Sequence, residues 1–166
     1  MGQMRTHVRL HLRGIMRQPY AEELKQLARR HGVEDRVHFL PLAHSTEMAR
    51  LAACHDVGLA LELNEPFHRS ICLTNKIFVY LLAGLPVLLS DTPAQRQLSE
   101  QLGAVGPLVK LEDTRAMAVT LDQLLSDSGK YNQLRLAAWQ LGQERYNWDV
   151  EQDAFIHSVT KALTSS

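Results

Sequence analysis

The chain begins with a stretch in which apolar and polar positions alternate. In residues 7–13, HVRLHLR, the apolar side chains Val8, Leu10 and Leu12 are separated by histidines and arginines. Alternation with a period of two is typical of a strand with one buried face, and Gly14 ends the pattern. We therefore predict a strand over residues 7–13.

Helical and strand patterns then follow one another along the whole chain. Further strands are predicted from short apolar runs at 36–40, 57–63, 86–89 and near 105–111, and helices at 19–31, 45–55, 75–83, 94–102, 114–126, 130–144 and 149–163. This alternation is typical of an α/β fold in which a parallel sheet has helices on both faces. We predict one Rossmann-like domain over residues 1–166 that ends in C-terminal helices.

Particular residue types mark the ends of these helices. Gly32 and Gly84 are predicted to close helices in the left-handed conformation, and Ser45 is predicted to open one as a side-chain cap. In the helix at 75–83, one stripe is predicted to face the core, formed by Ile77, Phe78, Leu81 and Leu82. The tail at 164–166 is predicted to fray.

Composition and charge narrow the class of protein. The formal net charge is zero, which argues against a general nucleic-acid binder. No apolar run approaches the ~20 residues of a membrane span, and basic residues interrupt the start of the chain, so no signal peptide is predicted. We expect Cys54 and Cys72 to be buried free thiols. A cytoplasmic protein is expected, with a peripheral position at the inner face of the membrane left open.

A ligand site is predicted where strands of a parallel sheet end, because ligands of such sheets bind outside the carboxyl ends. The longest polar loop there, residues 64–75, leads into a helix that opens with Thr74, Asn75 and Lys76. A phosphate at this helix start would meet free amides, the positive end of the dipole and the Lys76 ammonium. Two plainer interpretations stay open: Thr74 as an ordinary cap, and Lys76 as a solvated cation.

Other chemistries have less support in the sequence. His7 and His11 are too far apart on a strand to share one zinc ion, and no metal site is predicted. Of the remaining histidines only His68 lies in the polar loop that precedes the helix start. No G-x-S-x-G, P-loop or G-x-G-x-x-G pattern occurs, which leaves hydrolase, NTPase and dinucleotide-binding functions without motif support.

The segment TNKIFVYLLAGLPVLLSD resembles the N-K-x-F-E-Y-x-x-x-G-x-P-V segment of GT-B-fold glycosyltransferases of the large group called family 4. VRLHLRG, HGVEDRVHFLPL, MARLAACHDVGLALEL, LGAVGPLVKLEDTRAMAVTLDQLLSD and ERYNWDVEQDAF are similar, in the same order, to other segments of that family's C-terminal domain. The resemblance covers residues 8–157. It implies the donor-binding half of a GT-B fold, which binds a nucleoside diphosphate sugar as substrate for hexosyl transfer and uses no cofactor.

The resemblance also implies roles for particular positions. The donor diphosphate would be bound by Ser70, Leu73, Thr74, Asn75 and Lys76, with Cys72 lining the same loop. The base and ribose would be flanked by Leu40, Pro41, Leu42 and Val79. The sugar side of the loop would be formed by Glu65, Pro66, Phe67 and His68.

Three departures from the family pattern shape the functional hypothesis. Val79 stands where the family usually has a ribose-binding glutamate, and Ile71 stands at the partner acidic position. The N-terminal acceptor domain, and the strand with the usual Arg and Lys clamp, are expected to be missing from this chain. Because one half cannot close on both substrates, we expect no transfer by this chain alone. The partner would be a separate acceptor-binding domain or subunit. The alternative is a degenerate, non-catalytic domain that acts as an interaction module or as half of a split enzyme.

Overall fold

The strands of this protein are short and all pair in parallel. In the computed structural model, which describes residues 1–164, the strands are Leu10–Arg13 (β1), Val37–Leu40 (β2), Gly58–Ala60 (β3), Val87–Ser90 (β4) and Leu108–Val109 (β5). β1 pairs with β2, and β4 lies between β3 and β5 in a second sheet. Within the second sheet Gly58 is in register with Val87, and Leu89 with Leu108. These parallel sheets confirm the predicted α/β class.

Helices separate the strands and fill the C-terminal part of the described chain. They are Gln18–Arg30 (α1), Met48–Ala52 (α2), Phe67–Ser70 (α3), Asn75–Leu82 (α4), Pro93–Leu102 (α5), Thr114–Leu125 (α6), Ser128–Glu144 (α7) and Trp148–Thr164 (α8). Short 3-10 turns occupy Glu34–Arg36, Ser45–Glu47 and Gly103–Val105. Thr164 belongs to α8, and the rest of the tail predicted to fray, residues 165–166, lies outside the described residues.

Several local predictions were wrong. The strand predicted over 7–13 begins only at Leu10. The helix predicted from Ser45 starts as a 3-10 turn, and the imidazole of His44, not the Ser45 hydroxyl, accepts from the Thr46 amide. Part of the predicted loop at 64–75 forms α3. Cys54 and Cys72 are both exposed free thiols, since they lie at the ends of short helices and not in the core.

The core lies between β4 and helix α4. Every residue of β4 is buried, and Ile77 and Leu81 of α4 pack in the same cluster as Val87 and Leu89. The predicted stripe of α4 therefore has two parts: Ile77 and Leu81 are fully buried, whereas Phe78 and Leu82 are only partly covered. Burial of this kind stabilises the fold by about 25 cal/mol per Å² of apolar surface.

The turn after α4 sets the direction of β4. Gly84 has a φ of +68°, the left-handed conformation that glycine adopts without steric cost. Its amide donates to the Leu81 carbonyl, and the Leu85 amide donates to Tyr80, which closes the helix as predicted. Gly32 also has a positive φ, of 61°, after α1. Within residues 1–164, no helix is long and apolar enough to span a bilayer.

Candidate functional site

The carboxyl ends of β3 and β4 meet at the start of helix α4. Glu62 lies just beyond β3, and its backbone amide donates to the hydroxyl of Ser90 at the end of β4, over 2.8 Å. The Glu62 carboxylate in turn reaches Lys76 in the first turn of α4. The fold therefore brings the predicted helix start to the edge of the sheet at which ligands of parallel sheets bind.

A cavity of about 410 Å³ opens at this edge. Its lining is polar and mostly ionisable, and it consists of Glu62, His68, Arg69, Cys72, Thr74 and Lys76. Three elements contribute to it: the end of β3, the short helix α3 with the residues after it, and the start of α4. A cavity with two cations and a helix N-terminus is suited to an anion.

The start of α4 has polar groups without protein partners. Thr74 occupies the N-cap position with extended backbone, but its side chain makes no capping hydrogen bond. Its Oγ1 is buried and has no hydrogen-bond partner among residues 1–164. The predicted side-chain cap was therefore wrong, because the hydroxyl does not accept from the first-turn amides. A buried hydroxyl without a partner is unusual in proteins and needs an explanation.

Not all of the first-turn backbone amides that were predicted to bind a phosphate are available to a ligand. The Ile77 amide donates to the Thr74 carbonyl over 3.1 Å, so it is not available to a ligand. The amides of Asn75 and Lys76 precede it in the first turn, where helix geometry provides no intrahelical acceptor. The helix start thus offers two amides and one hydroxyl to an external anion.

The Lys76 ammonium is paired with a carboxylate that the sequence interpretation did not single out. Lys76 Nζ lies 2.5 Å from Glu62 Oε1, and Arg69 Nη1 lies 3.9 Å from Glu62 Oε2. Glu62 is buried, with 7% of its surface exposed. The signal that could have identified it is a glutamate inside the apolar run VGLALEL, since buried carboxylates require partners.

The predicted diphosphate-binding residues lie on two sides of α4. Thr74 and Lys76 line the cavity described above, whereas Leu73 and Asn75 line a second cavity of about 590 Å³. The second cavity lies between α4, α5 and the junction of α7 with α8, where Phe78, Gln101, Tyr146 and Trp148 form part of its wall. Ser70 is buried and its hydroxyl donates to the Phe67 carbonyl over 2.7 Å, so this hydroxyl already has a partner.

The other predicted positions are spread more widely. His68 lines the smaller cavity, whereas Glu65, Pro66 and Phe67 are exposed and line neither cavity. Leu40 ends β2, the Pro41 carbonyl accepts from Arg13, and Leu42 is exposed. Val79 is partly buried within α4. The assigned roles of these residues stay predictions.

Three histidines meet at the β1–β2 sheet, away from this cavity. His11 Nδ1 and His55 Nε2 are 2.9 Å apart, and the rings of His11 and His38 meet edge to face. Burial, followed by the charges of His55 and His38, lowers the pKa of His11. Across residues 1–164 no group of three metal-ligating side chains is placed to hold an ion together.

Comparisons with known proteins agree with this architecture. A family model described as "Glycosyl transferases group 1" matches residues 2–127. A D-inositol 3-phosphate glycosyltransferase of Mycobacterium ulcerans is 28% identical over 146 residues, which are 84% of this chain and 29% of that protein. This chain therefore spans less than a third of that relative.

Solved structures of GT-B glycosyltransferases share the fold. Anabaena HepE in complex with UDP and glucose has a TM-score of 0.79 at 20% identity, over 96% of this chain and 42% of HepE. Sucrose-phosphate synthase of Thermosynechococcus elongatus has a TM-score of 0.79 at 18% identity, over 95% of this chain and 39% of that enzyme. HepE has also been solved with UDP-glucose. The similarity confirms the predicted Rossmann-like fold of the GT-B type.

Proposed function

The chain belongs to the group 1 glycosyltransferases, and we propose that it is their donor-binding domain. In this proposal the diphosphate of a nucleoside diphosphate sugar binds in the cavity at the start of α4. The observation that carries the proposal is the buried Thr74 hydroxyl without a partner, next to Lys76 in the same cavity. The structures of HepE in complex with UDP and with UDP-glucose support this class of ligand.

The chemistry of the site suits a departing nucleoside diphosphate. When the bond between sugar and diphosphate breaks, negative charge develops on the diphosphate oxygens. The amides of Asn75 and Lys76, the Thr74 hydroxyl and the Lys76 ammonium would stabilise that charge, because they are already oriented before reaction. The proposed role of this chain is thus to bind the donor and to stabilise the leaving group in hexosyl transfer. No cofactor is part of the proposal.

The acceptor is proposed to bind to another domain or subunit. The similarity covers 42% of HepE, and several large apolar side chains of α8 are exposed within residues 1–164. Trp148, Phe155, Ile156 and Leu163 are all exposed on this helix. Exposed apolar side chains that lie together on one helix are typical of protein interaction sites, so α8 is the proposed contact for the acceptor-binding partner.

Calorimetric titration with UDP and GDP tests the donor site. We expect at least one of the two compounds, UDP or GDP, to bind the folded wild-type chain. The substitution Lys76→Met should weaken that binding about tenfold. Lys110→Met, which removes an exposed lysine outside the cavity, is the matched control and should leave the affinity unchanged. Absence of heat from both diphosphates, with folded protein, would rule out the donor-binding proposal.

A second candidate function is a degenerate domain that no longer takes part in transfer. The observation that favours it is the pair Ile71 and Val79, neither of which can accept hydrogen bonds from hydroxyl groups. The substitution Val79→Glu separates the two functions. A gain in nucleotide affinity would indicate a decayed donor site, whereas no gain would indicate that the cavity has another use.

A further inference from the structure

We propose that Arg69 is a second phosphate-binding cation of this cavity and that Glu62 positions Arg69 and Lys76 together. This inference rests on the proposed donor-binding function and assigns residues that the sequence did not predict for it. The observation behind it is a single carboxylate that contacts two cations from different helices, within the cavity that Thr74 also lines.

The two cations come from separate elements, and both contact Glu62. Arg69 belongs to α3 and Lys76 to the first turn of α4. Their contacts to Glu62 use different carboxylate oxygens: Oε2 faces Arg69 at 3.9 Å and Oε1 faces Lys76 at 2.5 Å. The carboxylate therefore determines the relative position of the two cationic groups.

The three side chains differ in how far they are exposed to solvent. The Glu62 side chain is 9% exposed, whereas those of Lys76 and Arg69 are 41% and 54% exposed. The carboxylate forms the floor, and the cations lie nearer the solvent. An anion that enters meets the cations first, while the glutamate lies behind them.

Glu62 is itself fixed by the neighbouring strand and helix. Its amide donates to Ser90 Oγ over 2.8 Å, and Ser90 Oγ donates to Gln95 Oε1 over 3.3 Å. The Ser90 amide also donates to Gln95 Oε1, over 2.8 Å, and both Ser90 and Gln95 are buried. This network reaches from α5 through β4 to the end of β3. It fixes the backbone of Glu62 at the rim of the sheet, whereas lysine and arginine side chains are flexible on their own.

The charges also suit a diphosphate. Two cations and one carboxylate leave a net charge of +1 in the cluster, and each cation can bind a phosphate oxygen while it still contacts Glu62 on the other side. Because the guanidinium is planar and can form two parallel hydrogen bonds, Arg69 is suited to a phosphate group.

The direction in which Glu62→Gln changes the affinity for UDP tests the positioning role of Glu62. If Glu62 positions the cations, Glu62→Gln should weaken UDP binding about five- to tenfold, even though it removes a negative charge from an anion site. If Glu62 only neutralises the cations, the same substitution should strengthen UDP binding. Glu62→Asp keeps the charge and should retain part of the affinity. Unchanged or stronger UDP binding by Glu62→Gln would overturn the proposal.

The substitution Arg69→Gln tests the second cation in a side chain that is too exposed to threaten folding. We expect a loss of about tenfold in UDP affinity and a weaker dependence of the affinity on ionic strength. The matched control is Arg50→Gln, which removes an exposed arginine paired with Glu47 outside the cavity. An affinity and salt dependence equal to those of the control would overturn the role of Arg69.

The same titrations separate this inference from the proposed function. If the wild-type chain binds UDP but Glu62→Gln and Arg69→Gln bind it equally well, the donor-binding function stands and the proposed roles of Glu62 and Arg69 are wrong. If the folded wild-type chain binds neither UDP nor GDP, both proposals fail. Far-ultraviolet circular dichroism of each variant establishes that the compared proteins are folded.

Discussion

Gly142 in α7 lies directly against the peptide that joins Leu81 to Leu82 in α4. A β-carbon at Gly142 would be 2.8 Å from the carbonyl carbon of Leu81 and 2.8 Å from the amide nitrogen of Leu82. Ala138, one turn earlier on α7, is fully buried in the same core. The small residues at these two positions let the helices approach closely, so α7 holds α4, and with it the proposed anion site, in place.

Replacement of Gly142 by alanine should destabilise the protein. Alanine favours an isolated helix by about 1 kcal/mol over glycine, but here its methyl group would overlap backbone atoms that cannot move aside as a side chain can. We expect Gly142→Ala to lower the free energy of unfolding by about 1–3 kcal/mol, measured by urea denaturation. Gly129→Ala in the same helix is the control, since its β-carbon would meet only the Asp127 carboxylate, at 3.3 Å. Equal stability of the two variants would contradict the close contact.

Substitution of Thr74 separates ligand binding from folding. Because the buried Thr74 hydroxyl has no partner in the described part of the chain, Thr74→Val removes no hydrogen bond and relieves the cost of an unsatisfied polar group. We expect unchanged or slightly higher stability of this variant, together with UDP binding that is weaker by about three- to tenfold. Thr74→Ser retains the hydroxyl and should bind as the wild type does. A loss of stability in Thr74→Val without a loss of affinity would show that the hydroxyl has a structural role only.

Alkaline pH should destabilise the fold through Tyr80. Burial raises the pKa of the Tyr80 phenol above its ordinary value of 10.0. The unfolded chain then releases this proton at lower pH than the folded chain. The contribution of Tyr80 to the free energy of unfolding is therefore complete below pH 10 and declines as pH rises above 10. The slope approaches about 1.4 kcal/mol per pH unit for one proton. Burial also raises the pKa of Tyr131, which adds a decline of the same sign.

The measurement for Tyr80 is the free energy of unfolding between pH 8 and 11. Tyr80→Phe should flatten the decline above pH 10, whereas Tyr20→Phe, which changes an exposed ring on α1, serves as the control and should keep it. An identical decline in the wild type and in Tyr80→Phe would refute the role of Tyr80.

The histidine group at the β1–β2 sheet should show its effect at acid pH. The lowered pKa of His11 has burial as its largest cause and the charge of His55 as the next. Because the pKa of His11 is lower in the folded chain than in the unfolded chain, protonation favours the unfolded chain. The free energy of unfolding should therefore be highest above pH 6.5 and decrease as pH falls below 6.5. NMR titration of the imidazole signals should give His11 a pKa below 6.5, and His55→Gln should raise it. His157→Gln on α8 is the control, and a His11 pKa that does not respond to the loss of His55 would contradict the contact.

Local patterns in the sequence determined the order and type of most elements, although α3 was predicted as part of a loop. Alternation around Leu10, the buried run that contains β4, and the helical stripe with Ile77 and Leu81 each correspond to an observed element. The left-handed glycine at 84 was also predictable, because the conformational preference of glycine is local. The predicted position of α4 at the rim of the sheet follows from the rule for parallel α/β folds.

Which residues come together in the site depends on contacts between residues that are distant in sequence. Glu62, Arg69 and Lys76 meet only after β3, α3 and α4 have packed, and nothing in their spacing predicts a shared carboxylate. The division of Thr74 and Asn75 between two cavities likewise depends on how α4 is rotated against its neighbours. The same is true of Gly142, whose sequence neighbours give no sign of the α4 backbone beside it. Hydrophobic periodicity and turn preferences act over a few residues and so determine the elements. Ion pairs, unpartnered hydroxyls and close backbone contacts form between elements, and only the tertiary structure decides them.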